Sequence, residues 1–319
     1  MYKVFIDGQA GTTGLKIQGF LQGRPDLVLL EIDEAHRKSE AARRELVNEA
    51  DIVLLCLPDD AAREAVALAN NNTRFIDAST AHRVNPDWTY GLPELAPGQR
   101  KRIAGARYVS NPGCYPTGFL LAIAPLVRHG DLRTDIPLTI SALSGYTGGG
   151  RQMVADYEAR AREHPDALWY SRPYALHLDH KHLPEMQRYA GLEKTPLFLP
   201  SVGHFAQGML VSIPLAAEWF KAETSVDKIA GVLTDTYAGE PCVVTHSPND
   251  SSLLENGQLE PQANNNTNRV DLFVFGNRDR FVLVARLDNL GKGAGGAAVQ
   301  NLNLMLGIDE LHGLSLQET

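Results

Sequence analysis

The sequence predicts an α/β domain with an open, doubly wound parallel sheet, joined to an α+β domain with an antiparallel or mixed sheet. In the first part of the chain, short apolar strands alternate with helices, which is typical of parallel sheets. From about Thr134, strands follow one another with fewer helices between them. The 319 residues suffice for two such domains. We expect residues 1–113 and 289–319 to form the first domain and residues 114–288 the second.

Composition excludes several classes of partner. The net charge is −8 and no stretch is strongly basic, which disfavours nucleic acids and anionic membranes as partners. The N-terminal residues form a predicted strand rather than a leader, and no apolar run reaches membrane-spanning length. The widely separated Cys56, Cys114 and Cys242 suggest neither a disulfide framework nor a zinc ribbon. We therefore expect a cytoplasmic protein that binds neither nucleic acid nor membrane.

The first turn of the chain carries a glycine pattern suited to phosphate binding. A predicted strand, Val4 to Asp7, leads into this turn, and a helical pattern from Leu15 follows it. Glycines there let backbone N–H groups approach a phosphate at the helix start. Ala10 replaces one glycine of the usual dinucleotide pattern, so an ordinary tight turn is the alternative. The next strand, Leu27 to Ile32, completes a β-α-β unit that favours a dinucleotide. The candidate contacts are Gly8, Ala10, Gly11, Thr12, Thr13 and Gly14.

The turn after the second strand bears on the choice of cofactor. It offers carboxylates at Glu31 and Asp33, followed by the adjacent bases Arg37 and Lys38. A carboxylate there binds a ribose 2′-hydroxyl, whereas basic groups bind a 2′-phosphate. The basic pair favours NADP over NAD, and a solvated basic turn before the next helix is the alternative.

Further strand ends extend this candidate site. The apolar run from Ile52 to Leu57 is typical of a buried parallel strand. Cys56, within this run, is expected to be a core residue. Arg74 to Asp77 is another predicted strand. Ligands of doubly wound sheets bind at the carboxyl ends of the strands. Those ends are Gly8, Leu57 with Pro58, Asp77 to Thr80 including Ser79, and Asn111 with Pro112.

Cys114 is the candidate nucleophile. A strand ending at Ser110 and a Pro-Gly turn precede it, Pro116 suits the first helical position, and an apolar run follows from Phe119 to Val127. The N–H groups and the dipole of a helix start favour thiolate over thiol. A buried, inert cysteine is the alternative.

The second domain is predicted to be rich in strands. One clear helix, from Thr224 to Tyr237, interrupts them, and a final helix from Ala297 to Leu306 could pack back on the first domain. The predicted strands are Ile136–Ser144, Leu197–Leu199, Met209–Ile213, Cys242–Val244, Val270–Phe275 and Phe281–Ala285.

Histidines in this domain could serve the thiol. His180 and His182 lie two residues apart, and His204 follows later. Since no ligand set with metal spacing accompanies them, acid–base chemistry is favoured over a metal site. A surface cluster at a helix start is the alternative. For an anion, Ser144, the glycines 148–150 and Arg151 offer donors, unless they form only a flexible loop.

The segment from Val109 to Pro125 resembles the cysteine block of N-acetyl-γ-glutamyl-phosphate reductases. Other stretches resemble further blocks of this family, so the similarity covers nearly the whole chain, and its length matches the shorter, type 2 branch. These stretches are Phe75–Arg83, Tyr90–Leu95, Ser144–Arg151, His180–Glu185 and Asn289–Asn301.

The resemblance implies a fold and a reaction. The fold would be an NADP-binding Rossmann domain completed by the C-terminal helix, with a catalytic domain like that of glyceraldehyde-3-phosphate dehydrogenase. In the reaction, the third step of arginine biosynthesis, Cys114 would attack the acyl phosphate and expel phosphate, leaving a thioester. Reduction by NADPH would then give N-acetylglutamate 5-semialdehyde. The assembly would be a homo-oligomer, either a dimer or a tetramer.

The resemblance also implies roles for individual residues. His182 would be the base, supported by Glu185, with His180 as the alternative base. Ser201 stands where longer relatives have a histidine, which leaves His204 as a substrate-side candidate. Other expected substrate contacts are Asn111, Ser144, Gly145, Arg151 and His180, and other expected cofactor contacts are Arg37, Lys38, Leu57, Pro58, Ser79, Arg83 and Asn289.

Two other functions remain open from sequence. Aspartate-semialdehyde dehydrogenases run the same chemistry on a neighbouring acyl phosphate, but their cysteine usually follows an asparagine, whereas Gly113 precedes Cys114 here. A non-catalytic protein that senses NADP would not need Cys114.

Overall fold

The computed structural model describes residues 1–37, 39–70 and 72–317, and they form two compact units. The first unit comprises Met1–Gly113 and Ala294–Leu314. The second comprises Cys114–Gly293 together with the chain end that begins at Ser315. The chain thus returns to the first unit at Ala294, later than the expected boundary at Asn289.

A six-stranded parallel sheet forms the centre of the first unit as described, and it confirms the predicted doubly wound α/β fold. Its strand order is β2-β1-β3-β4-β6-β5, and each neighbouring pair is parallel. The strands are β1 (Tyr2–Asp7), β2 (Leu27–Leu30), β3 (Ile52–Leu55), β4 (Arg74–Asp77), β5 (Thr89–Tyr90) and β6 (Tyr108–Ser110). The helices are α1 (Thr12–Leu21), α2 (Glu40–Glu49), α3 (Asp59–Ala67), α4 (Gln99–Gly105) and α9 (Gly296–Leu306).

Alternate side chains of the central strands fill two separate cores. Val4 and Ile6 of β1 point to one core, where they meet residues of α1 and α9. Phe5 points to the other, which contains residues of α2 and α3 as well as Trp88. Because both faces are covered, strands such as β3 are apolar throughout, which is why the sequence revealed them.

The second unit contains a seven-stranded mixed sheet, as predicted. Its order is β11-β12-β13-β10-β7-β9-β8, with parallel pairing between β7 and β9 and between β11 and β12. The remaining neighbours are antiparallel. The strands are β7 (Thr139–Gly145), β8 (Ser171–Pro173), β9 (Leu197–Gly203), β10 (Met209–Ala216), β11 (Val243–Thr245), β12 (Val270–Gly276) and β13 (Arg280–Leu287).

The helices of the second unit are more numerous than the sequence suggested. They are α5 (Cys114–His129), α6 (Gly150–Glu163), α7 (Leu183–Ala190) and α8 (Val226–Thr236). The interpretation of one clear helix between the strands was therefore wrong, because α6 and α7 also lie there. Across the described ranges, no helix has the length and apolar character needed to cross a membrane.

Helix α5 is almost entirely buried and carries Cys114 as its first residue. A side chain on Gly118 would lie 3.1 Å from both Ala285 and Val211, so this glycine lets the helix lie close to the sheet. Pro116 was predicted at the first helical position, but the helix begins two residues earlier. A proline fits there because N–H groups of the first turn have no partner within the helix.

Candidate active site

Cys114 lies at the N-terminal end of α5 and is partly exposed. The backbone of Gly293 packs directly on it, since a Cβ atom on this glycine would lie 2.8 Å from the Cβ of Cys114. The first turn of α5 contains no acidic residue. The helix dipole therefore acts on the thiol in the direction that favours a thiolate.

Aromatic rings and imidazoles surround the next residue, Tyr115. Its ring centre lies 5.9 Å from those of His180 and His182 and 5.0 Å from that of Phe198. The hydroxyl of Tyr174 donates to the Tyr115 hydroxyl at 3.1 Å. The structure thus brings both predicted histidines to the residue that follows the candidate nucleophile.

The two tyrosines are held in their neutral form. Burial raises the pKa of Tyr115 well above its ordinary value, and the nearby Tyr174 and Cys114 act in the same direction. A hydrogen bond with Ser144 opposes this shift. Burial likewise raises the pKa of Tyr174, although its bond to Tyr115 opposes the rise. Both hydroxyls can therefore donate hydrogen bonds at neutral pH.

His182 and Glu185 lie at the start of α7. His182 is buried, 7% exposed, immediately before the helix, and Glu185 is 1% exposed in its first turn. The backbone N–H of His182 donates to Nδ1 of His180 at 3.1 Å, and the two rings meet edge to face with centres 4.6 Å apart. A carboxylate at a helix start is stabilised by the helix dipole. The local fold thus fixes both imidazoles and a buried carboxyl group.

Ser144 and Gly145 end strand β7 beside this cluster. The Ser144 hydroxyl donates to the carbonyl oxygen of Gly145 at 3.1 Å. A side chain on Gly145 would overlap the Ala206 carbonyl, lying 2.6 Å from its carbon atom, so only glycine fits there. The residues Tyr146–Gly149 form a short 3-10 turn that leads into α6. The glycines 148–150 therefore lie in the 3-10 turn and at the first position of α6.

Arg151 and His204 lie beyond this turn. Arg151 is exposed in the first turn of α6. The ring of His204 lies among three tyrosine rings, with the centre of Tyr157 at 5.9 Å and those of Tyr146 and Tyr170 at 6.5 Å. Nδ1 of His204 is buried without a hydrogen-bond partner within the described part of the chain.

The first unit assembles the other set of candidates. Asp7, Leu55, Asp77 and Ser110 pair consecutively across the sheet, so the loops that follow them emerge at one edge. These loops contain the glycine turn with Ala10 and Gly11, Leu57 with Pro58, Ser79, and Asn111.

The glycine turn has the shape needed to hold a phosphate. Gly8 has a φ of +93°, and a side chain on it would overlap the Cys56 carbonyl group. A side chain on Gly14 would lie 2.6 Å from the carbonyl oxygen of Gly8. Helix α1 begins at Thr12, with Thr13 next and no acidic residue in this turn, so its N–H groups and dipole favour an anion. The turn therefore fits a dinucleotide pyrophosphate.

Of the two basic residues predicted to bind a 2′-phosphate, the structure describes only Arg37. Arg37 is half-exposed and lies 3.4 Å from the carboxylate of Glu34. Lys38 lies outside the described residues. Asp33, at the same turn, has a pKa below its usual range because His36 donates hydrogen bonds to it.

Arg83 and Ser79 brace the loops at this edge. Nε of Arg83 donates to the carbonyl oxygen of Asn111 at 3.0 Å, and Nη2 donates to that of Ala78 at 3.1 Å. The Ser79 hydroxyl donates to Asp77 at 2.7 Å. Nδ2 of Asn111 donates to the Ala294 carbonyl at 2.9 Å. The buried side chains of Arg83 and Asn111 thus bind backbone groups of their own unit.

Asn289, expected at the cofactor, belongs to the second unit. Its side-chain oxygen accepts from the backbone N–H of Gly208 at 2.9 Å, and its Nδ2 donates to Thr147 at 3.0 Å. In this position it links two loops of the second unit.

Tyr115 and Tyr174 are the principal residues that sequence reasoning missed. Tyr115 follows Cys114 directly, and that position is a signal that could have found it. Tyr174 follows β8, a three-residue strand with exposed side chains, and no sequence pattern indicates such a strand. Within the three described ranges, no group of three or more His, Cys, Asp or Glu residues could hold a metal ion.

Comparison with known families covers most of the chain. Residues 4–103 match the model described as "Semialdehyde dehydrogenase, NAD binding domain". Residues 114–289 match the one described as "Semialdehyde dehydrogenase, dimerisation domain".

Similar full-length proteins carry a more specific name. N-acetyl-gamma-glutamyl-phosphate reductase 2 of Nostoc sp. is 49% identical over 318 residues, which cover 98% of this chain and 99% of the relative. N-acetyl-gamma-glutamyl-phosphate reductase of Brucella ovis is 50% identical over 310 residues, covering 96% and 99%.

Solved structures share the fold. Aspartate semialdehyde dehydrogenase II of Vibrio cholerae superposes with a TM-score of 0.71 at 15% identity, covering 96% of this chain and 99% of that structure. Aspartate semialdehyde dehydrogenase of Francisella tularensis gives the same TM-score and identity, covering 96% and 100%.

Proposed function

Because the chain belongs to the semialdehyde dehydrogenase family, and within it to the N-acetyl-γ-glutamyl-phosphate reductases, we propose that Cys114 is the nucleophile of this reductase reaction. The substrate is N-acetyl-γ-glutamyl phosphate and the product is N-acetyl-L-glutamate 5-semialdehyde, in the third step of arginine biosynthesis. The observation that carries the proposal is the partly exposed thiol at the start of α5, with two imidazoles against the neighbouring Tyr115.

The Cys114 thiolate attacks the acyl carbon, the bond to the phosphate oxygen breaks, and inorganic phosphate leaves with the bonding electrons. The helix start supports the thiolate before attack. NADPH, when bound, supplies a hydride to the resulting thioester. Collapse of the thiohemiacetal then returns the thiolate and releases the aldehyde. Overall, the acyl phosphate, NADPH and a proton give the aldehyde, NADP⁺ and phosphate.

Acid–base work is assigned to His182. Its imidazole can hold the proton exchanged with the thiol and with the thiohemiacetal oxygen, and the buried Glu185 supports it. We expect His182→Ala to lower kcat by roughly 10²–10⁴-fold. A nearly normal kcat would move the base to His180 or His204.

The substrate is bound by donors around the thiol. Ser144 and Gly145 lie beside Tyr115, and His204 presents a buried Nδ1 that could meet a polar group of the substrate. Further substrate contacts are assigned to Asn111, Arg151 and His180.

The cofactor is assigned to the glycine turn and the neighbouring strand ends of the first unit. Arg37 is assigned to the 2′-phosphate, with Lys38 beside it in the sequence. We expect a higher kcat/KM for NADPH than for NADH, and we expect Arg37→Ala to reduce that preference. Equal kcat/KM values for the two cofactors in the unaltered enzyme would refute this assignment.

The enzyme is assigned to the cytoplasm, as a homodimer formed through the second unit. The family model for this unit is named for dimerisation. One face of the seven-stranded sheet exposes Leu197 and Leu199, and Ser141 pairs with Leu199 on the same face. Light scattering should give twice the monomer mass, and Leu199→Glu should lower it; a monomeric or tetrameric wild type would contradict this assignment.

The decisive experiment is the reverse reaction. Phosphate-dependent reduction of NADP⁺ is measured with N-acetylglutamate semialdehyde and, in parallel, with aspartate semialdehyde. We expect activity on the first substrate alone, loss of this activity in Cys114→Ser, and retention in the matched control Cys242→Ser. Preference for aspartate semialdehyde would overturn the substrate. Binding of NADPH without either reaction would favour a sensing protein.

A further inference from the structure

Lys292 has no part in the reaction described above, yet its side chain is completely buried, with 0% exposed. Lysine is almost never fully buried unless its charge is paired, because removing an ammonium group from water carries a large free-energy penalty. The residue lies in a single π-helical turn, Gly291–Gly295. Such turns are rare and occur frequently at functional sites.

The π-helical turn is fixed against the candidate nucleophile. A Cβ atom on Gly293 would lie 2.8 Å from the Cβ and 3.3 Å from the Cα of Cys114. The N–H of Gly293 donates to the Asp288 carbonyl at 2.9 Å, which holds the turn in place. Since adjacent Cα atoms are about 3.8 Å apart, the backbone of Lys292 lies within roughly 8 Å of Cys114.

We propose that Lys292 is a positioning residue whose buried positive charge holds Cys114 as a thiolate in the resting enzyme. The inference rests on the proposed role of Cys114 as nucleophile. For two unit charges roughly 8 Å apart in a medium with an effective dielectric constant of about 20, the interaction changes a pKa by about 1.5 units. That shift would bring an ordinary thiol close to neutral pH.

Other titratable groups lie around Cys114 and its neighbours Tyr115 and Gly293. Burial holds Tyr115 and Tyr174 neutral, so they bring no charge near neutral pH. His180 and His182 can carry charge only when protonated. The negative charge of Asp288 disfavours a thiolate nearby. Its carboxylate accepts hydrogen bonds from the backbone N–H groups of Leu290 and Asn266 and from the side-chain amide of Gln207.

The test measures thiol reactivity rather than turnover. Carboxamidomethylation of Cys114 by iodoacetamide is followed by peptide mass as a function of pH in the full-length protein. We expect Lys292→Met to raise the midpoint of the profile by about 1.5 pH units. We expect Lys292→Arg to restore a midpoint near that of the wild type. The matched control is Lys228→Met, which removes an exposed lysine of α8 in the same unit and should leave the midpoint unchanged.

The outcomes separate this inference from the proposed function. An unchanged midpoint in folded Lys292→Met overturns the role of Lys292, even if alkylation of Cys114 abolishes reduction. Full activity after complete alkylation of Cys114 overturns the proposed function itself. If Lys292→Met does not fold, Lys292→Gln provides the midpoint. If neither Lys292→Met nor Lys292→Gln folds while Lys292→Arg does, the positive charge is needed to stabilise the fold. That result would overturn the inference.

Discussion

The Tyr174 hydroxyl donates a hydrogen bond to the Tyr115 hydroxyl across 3.1 Å, which ties the end of β8 to the residue after Cys114. Nε2 of His180 lies 3.5 Å from the same Tyr174 oxygen. Tyr174 therefore connects the imidazoles to the start of α5. This arrangement fixes the surroundings of the thiol through neutral groups, because burial keeps both tyrosines protonated.

We expect Tyr174→Phe to lower kcat about tenfold, because Tyr115 loses the partner that orients it and small displacements of reacting groups slow chemistry. The matched control is Tyr237→Phe, which removes a buried hydroxyl bonded to the Leu121 carbonyl at 2.7 Å in the same unit. Each variant should lose about 1 kcal/mol of unfolding free energy. Steady-state kinetics and urea unfolding check both; equal kcat losses would contradict a role specific to Tyr174.

The glycine turn gives a second prediction. Gly8→Ala places a methyl group on the Cys56 carbonyl in a conformation with positive φ, so the turn must shift. We expect NADPH affinity to fall by at least tenfold, as measured by fluorescence titration.

Gly19→Ala is the control for this change. Gly19 is exposed within α1, and a side chain there would meet nothing within 4 Å. Alanine should leave NADPH binding intact and stabilise the helix by about 0.5–1 kcal/mol. Unchanged NADPH affinity in Gly8→Ala would contradict the assignment of the turn to the cofactor.

The sequence predicted those strands and helices whose apolar residues form a clear pattern. Strands β1 and β3 were found because they are buried on both faces, and α5 because its long apolar run could only be buried. Helix α6 was missed because its side chains are mostly polar, with Tyr157 as its buried residue. Glycines at its start also suggested a loop.

The sequence likewise predicted only some residues of the candidate active site. Cys114 and the His180–His182 pair were found because their residue types suggest chemistry. Tyr174 could not be found, since it follows an edge strand that pairs through its backbone and has no buried side chain. The burial of Lys292 could not be predicted either, because lysine is ordinarily a surface residue.

Thiol chemistry should be selective for Cys114. Burial raises the pKa of Cys56 to about 12, and the nearby carboxylates of Asp77 and Asp7 act in the same direction. Cys242 is fully buried. At pH 8, iodoacetamide should therefore label Cys114 first in the native protein and all three cysteines in urea. Peptide mass analysis checks this, and native labelling of Cys56 at the same rate as Cys114 would contradict it.

The same raised pKa affects stability at alkaline pH. An unfolded cysteine ionises near pH 8.5, whereas native Cys56 stays a thiol up to about pH 12. Its contribution to stability is thus complete below pH 8.5 and is lost as the pH rises towards 12. We expect Cys56→Ala to lose less unfolding free energy than wild type between pH 8 and pH 10. Parallel urea-unfolding profiles over this range would contradict the expectation.

A buried cluster of charged residues around β12 and β13 should make the free energy of unfolding fall at low pH. Asp271 is 0% exposed and lies 2.7 Å from Arg286, 2.9 Å from Arg269 and 3.6 Å from His246. Burial alone would raise the pKa of Asp271, but hydrogen bonds and charges from these three partners lower it far below its usual range. In the native protein the Asp271 side chain is therefore ionised.

Because the native pKa is depressed, the stabilisation by Asp271 is present above the unfolded pKa of about 3.9 and is lost as the pH falls towards the native value. Asp271→Asn should cost about 3–5 kcal/mol of unfolding free energy at pH 7, since it leaves buried cations unpaired. The difference from wild type should shrink below pH 4. Asp135→Asn, in an exposed pair with Arg133, is the control and should change little. Urea unfolding from pH 7 to pH 3 measures both, and a difference that stays constant over this range would show that Asp271 stabilises the fold without its charge.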